Sequence, residues 1–412
     1  MFEYYEKGKT LVPIHIWLDS FEELEPTGCL EQAVNLASLP FAFHHIALMP
    51  DTHRGVGMPI GGIIACKDTI IPNAVGVDIG CGMAFVQTNV PASVLRDTVT
   101  GSGPLLKCLI GDFLRSVPVG RMTFKKPQQS KVLDNAECIS SPHIHDEALL
   151  KAVEKSRLEV GTLGGGNHFI EIQEDENGFA CLMLHTGSRV LGNMICNHFD
   201  DIAAEFDAKY FPEVPQEFNL PFLPVSSEEG QRYLKWMHLA MDYAYENRAV
   251  ILDNIKKIFA DKVAKYTDVS VEFSNEINCH HNYSSLEKHY GEDVWVHRKG
   301  AIHAADGKLG IIPGAMGAYS YIVKGKGCED SFLSSSHGAG RLYSRTGAME
   351  AFTVQTVMDD LRVNNVVLGK RSKTDVAEEC RFAYKDIDTV MRNQSELTVP
   401  IKRMKTMGVI KG

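Results

Sequence analysis

The sequence predicts an α+β protein: one integrated unit of mixed strands and helices over residues 1–412, neither a Rossmann fold nor a barrel. Three observations predict it. Strand-like and helix-like stretches follow one another without the regular βαβ rhythm of a parallel sheet. No internal repeat, low-complexity segment or Pro/Gly/Ser-rich linker divides the chain. Its 412 residues, 44% hydrophobic and 23% charged, have an ordinary globular composition and can bury a sizeable core.

Composition also sets limits. No apolar run of about 18 residues occurs, so no transmembrane helix is expected. The start, Met1-Phe2-Glu3-Tyr4-Tyr5-Glu6-Lys7, lacks the basic and apolar regions of a signal peptide, and no lipidation box is present at the end. Ten cysteines without a C-x-x-C pair argue against a disulfide framework and against a zinc ribbon. They point to a reduced, cytoplasmic setting. A net charge of -10 disfavours bulk nucleic-acid binding but permits a local basic cleft.

In chain order, the first 45 residues read as short strands and one helix over 29–38. A buried strand ends at Asp51 in a Gly-rich turn that runs to Gly62. Further strand follows over 60–71 and 84–90. Residues 91–160 read as helical and polar, with a lysine-bearing loop over 121–131, a helix over 147–157 by its spacing, and His143 and His145 on a loop. A strand over 179–184 leads into His185-Thr186-Gly187-Ser188-Arg189. A mostly helical insertion spans about 192–265, with a 3.6-residue apolar period over 233–263 and four prolines between 212 and 224 in a connecting loop. Strand character resumes over 269–273 and 319–323. Two helices, over 348–361 and 374–393, precede the tail.

Five residues share one context. Asp78, Cys81, His168, His185 and His281 each lie where an apolar strand meets a Gly- or Asn-rich turn. Loops at strand ends, held by a rigid scaffold, are where sites concentrate. Asp, Cys and His make a mixed hard and soft ligand set for divalent transition metals. Five ligands exceed a closed four-coordinate site; a thiolate bridging two ions would use them economically. Each residue singly also fits a plain structural role, as turn cap, core thiol or buried imidazole. A sixth stretch, Ser334-Ser335-Ser336-His337-Gly338-Ala339-Gly340-Arg341 and on to Arg345, sets a histidine among hydroxyls, glycines and cations. That histidine suits a base, a metal ligand, a nucleophile toward phosphorus, or a surface turn. The chain has neither a P-loop nor a G-x-S-x-G elbow.

Six motifs, taken together, resemble the RtcB family of RNA ligases. They are Gly76-Val77-Asp78-Ile79-Gly80-Cys81-Gly82, Gly166-Asn167-His168-Phe169-Ile170-Glu171, His185-Thr186-Gly187-Ser188-Arg189, Asn278-Cys279-His280-His281-Asn282-Tyr283, Arg298-Lys299-Gly300-Ala301 and Ser336-His337-Gly338-Ala339-Gly340-Arg341. The resemblance implies a fold of the RtcB type. It implies an enzyme that joins RNA 3′-phosphate or 2′,3′-cyclic phosphate ends to 5′-hydroxyl ends, with GTP as cosubstrate and two Mn²⁺ per active site. By the same resemblance His337 becomes guanylylated, and Asp78, Cys81, His168, His185 and His281 hold the metals. Nucleotide contacts carry over to Asn167, Phe169, Ile170, Glu171, Asn282, Pro313, Gly314, Ala315, Met316, Ser320, Gly338, Ala339, Gly340, Tyr384 and Lys411. Arg341, Arg345 and Arg189 become candidates for RNA phosphates. The implied partners are broken tRNA or rRNA ends and, in some family members, an activating protein. Ala315 departs from the family's usual serine, and Arg54 and Val56 from common versions of their turn. A metal-dependent phosphoesterase and a non-catalytic RNA-binding scaffold are the alternatives, set apart by whether His337 takes up a nucleotide covalently.

Overall fold

A computed structural model describes residues 1–101, 103–138 and 146–412. His143 and His145 lie outside the described residues. Two large sheets organise the rest. The smaller, of six strands, runs in the order Phe2–Tyr4, Ile14–Ile16, Ala42–His53, Ile60–Cys66, Glu292–Lys299 and Asn282–His289.

The larger sheet corrects the expectation of no barrel. Its path is Phe273–His280, Gly82–Pro91, Phe179–Thr186, Phe169–Asp175, Thr398–Lys411, Tyr319–Gly325 and Leu309–Ile312. Val367–Gly369 adds an eighth strand beside 398–411. The two ends of this path, 273–280 and 309–312, come side by side, so the sheet is nearly closed into a barrel. The Cys279 thiol meets the Ile311 backbone across the gap. The lack of βαβ rhythm excludes a parallel barrel, but antiparallel strands need no crossover helices. What curls this sheet is a set of four register shifts, between Phe179 and Cys181, Ser274 and Ile277, Ile322 and Val323, and Thr406 and Gly408. Extra residues of this kind bend strands and raise their twist. A composition-level reading does not see them.

Alternation along the strands divides the core. Ala84 and Val86 face one layer, where Ile251, Ile255 and Phe259 pack on them; Met83 and Phe85 face the other, with Met183 and Met404. The outer layer is carried by the long helix Glu228–Tyr266 and by Leu105–Ser116. Ser227 caps the long helix by accepting the Gly230 amide at 3.0 Å, and Glu228 and Glu229 favour its positive end. Among the described residues no helix is long and apolar enough to cross a membrane.

Other expectations move. The strand predicted over 269–273 begins only at its last residue, Phe273, and runs on to His280. The predicted helix over 348–361 is two, Arg345–Ala351 and Val354–Val363, because Phe352 is extended and Thr353 caps anew by accepting the Thr356 amide. The predicted helix over 374–393 is α-helical only at Ile387–Asn393. Before it lie two short 3-10 helices, Val376–Glu379 and Arg381–Ala383, separated by extended Cys380. The tail is the 14-residue strand Thr398–Lys411.

Candidate active site

Antiparallel pairing explains how distant motifs meet. His185 stands opposite both Phe169 and Met83, and Gly82 stands opposite His280 and Thr186. The segments holding Cys81, His168, His185 and His281 therefore open on the same rim of the barrel. Cys81 and His168 directly precede their strands, while His185 is the last residue but one of its strand and His281 directly follows its own.

On that rim the donors converge. Cys81 Sγ lies 3.2 Å from His185 Nε2 and 3.6 Å from His168 Nε2. His185 Nε2 is 3.2 Å from His281 Nε2, and His168 Nε2 is 3.0 Å from Asp78 Oδ2. The Nδ1–H of His168 donates to the Leu163 carbonyl at 2.9 Å, and that of His185 to the Asn167 carbonyl at 3.2 Å. Both rings thus turn an Nε2 lone pair toward the thiol, as imidazoles do around a metal. Burial, aided by neighbouring rings, holds His185 and His281 well below the usual imidazole range. Burial and then Asp78 raise the Cys81 thiol well above its usual range. Burial opposes the charge on Asp78, yet the His168 ring, when a second proton on Nε2 takes the place of a metal, brings the carboxyl down to about 2. Lone pairs, a carboxylate and a thiol packed this closely fit a divalent cation, which would also take the thiol proton's place.

Arg248, wholly buried in the long helix, braces this rim. It donates to the carbonyls of Gly80 at 2.8 Å and Thr186 at 3.0 Å, and to Asn278 Oδ1 at 2.6 Å. Asn282 ties the Asp78 carbonyl (3.1 Å) to the Gly300 amide (2.7 Å). Arg248 was not legible as a site residue in the sequence, since a cation on an amphipathic helix reads as solvent-facing.

His337 stands apart from the cluster. Its Nδ1–H donates to Asp51 Oδ2 at 2.7 Å, and the same oxygen accepts the amides of His337 (3.0 Å) and Gly338 (3.2 Å). Asp51 is fully buried at the end of the 42–53 strand, and despite burial His337 lowers its carboxyl. Nε2 is left with the lone pair, and the ring lies 4.7 Å from that of His281. Sequence reasoning missed Asp51, which reads as a turn residue; its one signal is an acid directly after an apolar strand. Gly340 takes a positive φ of 76°, and a Cβ there would fall 2.1 Å from the Asp51 carbonyl.

A cavity of about 430 Å³ joins these parts. The five donors, His337 and the Gly338-Ala339-Gly340 backbone line it, as do Asn167, Phe169, Asn282, Pro313, Gly314, Ala315, Arg341, Arg345, Tyr384 and Lys411. Ile170, Glu171, Met316 and Ser320 are buried outside its wall. Burial pushes the Glu171 carboxyl up to about 7, against hydrogen bonds from Gln173 and Thr406. Lys411 Nζ lies 5.1 Å over the Phe169 ring and 3.4 Å from Glu379. Glu379, missed because its stretch reads as helix, also accepts from Arg341 at 3.1 Å and from the Tyr384 hydroxyl. Arg345 faces Glu378 and Glu379 at 3.8 and 3.7 Å. Arg189, at a positive φ of 55°, does not line the cavity; it packs against Gly164 and points an Nη2 at the Gly120 carbonyl, 3.4 Å away.

Known proteins are similar to this chain along most of its length. The chain matches the family described as tRNA-splicing ligase RtcB over residues 32–412. It is 38% identical to the RNA-splicing ligase RtcB of Escherichia coli K12 over 402 residues, covering 93% of each chain. It is 32% identical to the tRNA-splicing ligase RtcB of Methanococcus maripaludis, covering 97% of this chain and 95% of that one. With the RNA-splicing ligase RtcB of Mycobacterium tuberculosis it shares 30% identity over 92% of this chain and the whole of the other. The donor cluster and His337 lie within a match that spans nearly the entire sequence, and the chain belongs to the RtcB family.

Proposed function

We propose that this protein is an RNA ligase of tRNA splicing or RNA repair that seals 3′-phosphate or 2′,3′-cyclic phosphate ends to 5′-hydroxyl ends through a guanylylated His337. One observation carries the reading: His337 Nδ1 is engaged by buried Asp51, so Nε2 holds its lone pair beside a five-donor cluster in one cavity. A 3′-phosphate has no good leaving group, and covalent catalysis supplies one. His337 Nε2 attacks the α-phosphorus of GTP; an N–P bond forms, the α–β P–O bond breaks and pyrophosphate leaves. A cyclic phosphate end is first hydrolysed to a 3′-phosphate. The RNA 3′-phosphate oxygen then attacks the same phosphorus, releasing His337 and giving RNA-(3′)pp(5′)G. The 5′-hydroxyl attacks the RNA 3′-phosphorus, GMP departs and the phosphodiester is made.

Asp78, Cys81, His168, His185 and His281 would hold two divalent cations, Mn²⁺ by the family's pattern. Such ions supply charge neutralisation on phosphates and a lowered hydroxyl pKa. Asp51 holds the His337 ring in one tautomer and offsets the charge the ring gains on attack. Lys411, Tyr384 and the 313–316 backbone would bind the nucleotide.

The test is incubation with α-labelled GTP and Mn²⁺. Wild type forms a covalent guanylyl adduct and His337→Ala forms none. A wild type that stays unlabelled at saturating metal would leave the phosphoesterase alternative standing.

A further inference from the structure

We propose that the strap 118–131 is a binding site for the single RNA strand leaving the catalytic cavity, with Arg121, Lys125 and Lys126 on its phosphates and Phe124 under a base. This rests on the reading of the substrate as RNA.

The strap is held in place before any ligand arrives. It lies along residues 157–164 through five backbone contacts. The amides of Gly120, Phe124 and Gln128 donate to the carbonyls of Gly164, Leu158 and Arg157 at 2.8, 2.9 and 2.8 Å. The Leu163 amide donates to Pro118 at 2.9 Å, and Val119 bridges Gly164. At its far end Glu246 accepts the Ser130 hydroxyl and the Lys131 amide. A ligand here would meet a formed surface and would not have to order a loop.

The strap also starts at the cavity. Gly120 Cα lies 3.4 Å from where a Cβ of Gly165 would stand, and Gly165 is in the cavity wall. Farther along the strap lies a groove of about 470 Å³, between Phe124, Pro127 and Gln128 on one side and Gly161, Val250 and Asn254 on the other. The Phe124 ring rests 3.6 Å from the Cβ position of Gly161, half-buried, which makes it a firm stacking platform.

Charge singles this surface out. Between Asp112 and Asp134 the chain carries five cations and no acid, within a protein of net charge -10. Arg121, Lys125 and Lys126 are exposed and make no ion pair among the described residues. Apart from Glu246 at the far end, which accepts from Ser130 and Lys131, three nearby acids are engaged elsewhere. Asp134 and Glu154 pair with Arg157, and Glu159 accepts the Val190 amide at 3.1 Å. The cations at the cavity are the opposite case: Arg341 and Arg345 face Glu378 and Glu379, so part of their charge is offset. Lys299, also in the cavity wall, is buried and donates its Nζ to the Val56 and Asn73 carbonyls at 2.6 and 2.8 Å, so among the described residues the strap offers exposed, unpaired positive charge beside the cavity, where it can replace the counterions of an RNA backbone.

The experiment uses the full chain and a fluorescent single-stranded RNA with a 3′-phosphate, titrated at several salt concentrations. Binding is read directly, so no ligation is needed. The combined variant R121Q/K125Q/K126Q should weaken binding about tenfold or more near 0.1 M salt, and its slope of log affinity on log salt should fall by roughly 2. Phe124→Leu keeps an apolar contact on Gly161 and loses the aromatic face; it should weaken binding about fivefold with the slope unchanged. A K7Q/K235Q/K288Q variant, with the same charge change away from the strap, is the control. Equal affinity and slope in the strap variant and wild type would overturn the proposal. So would an equal loss in the control, or a wild type that binds no RNA. A wild type that binds RNA through the strap but forms no guanylyl adduct would uphold this site and remove the His337 chemistry instead.

Discussion

Asp51 and Glu171 are two buried carboxyls whose pKa values are pushed in opposite directions. Asp51 keeps its charge because one oxygen accepts three N–H donors. Asp51→Asn would present His337 with an amide that no longer fixes the tautomer or balances a ring cation. Guanylyl-adduct formation should fall about 10²-fold or more while Mn²⁺ binding is retained; undiminished labelling would rule out this role. Glu171 instead has its pKa raised to about 7 by burial, above the ordinary carboxyl value of 4.5. Below about pH 4.5 folded and unfolded chains both hold this proton. Between about 4.5 and 7 only the folded chain does, so this group's contribution to stability is lost as pH rises through that window. Glu171→Gln, measured without nucleotide by urea unfolding, should gain on wild type between pH 5 and pH 8, by on the order of 1–3 kcal/mol. A difference that does not change with pH would contradict the assignment.

Two elements hold the rim, the 228–266 helix and the 398–411 strand. Arg248 brings the helix's hydrogen-bonding capacity to the ends of three separate strand segments. Arg248→Met leaves those carbonyls buried without a donor, at a cost of about 2–4 kcal/mol, and should weaken metal binding too. Calorimetry with Mn²⁺ together with denaturant unfolding checks both. The strand pairs with 319–325 along its first half and with 169–175 along its second. Lys411 is therefore the end of a central strand and not a frayed tail. Deleting residues 404–412 should unfold the sheet, whereas Lys411→Met should leave the unfolding midpoint nearly unchanged and weaken GTP binding. If the point variant unfolds as readily as the deletion, the lysine's role is structural.

At the scale of the whole molecule, metal and fold should be linked. Cations that bind only the folded rim stabilise it by mass action, about 2.7 kcal/mol at a hundredfold excess over Kd. Because burial holds the Cys81 thiol protonated, loading must release that proton, and the Mn²⁺-induced rise in unfolding temperature should grow between pH 6 and pH 8. Cys81→Ala should abolish most of the rise. A shift that is flat with pH, or equal in the variant, would exclude the thiol as a ligand.

The sequence by itself determined the residue types and their local contexts. Asp78, Cys81, His168, His185 and His281 at turn junctions, and His337 among glycines, were legible because apolar strands and Gly-rich turns are local patterns. It also indicated helix at the core of 228–266 and the loop at 121–131. Only the tertiary structure decided barrel closure, since bulges and strand register depend on pairing between segments far apart in the chain. Only it decided that Asp51 serves His337 across 286 residues, that Glu379 draws Arg341, Tyr384 and Lys411 together, and that Arg189 turns from the cavity. Side-chain partners at such separations are set by packing, and a one-dimensional period carries no trace of them.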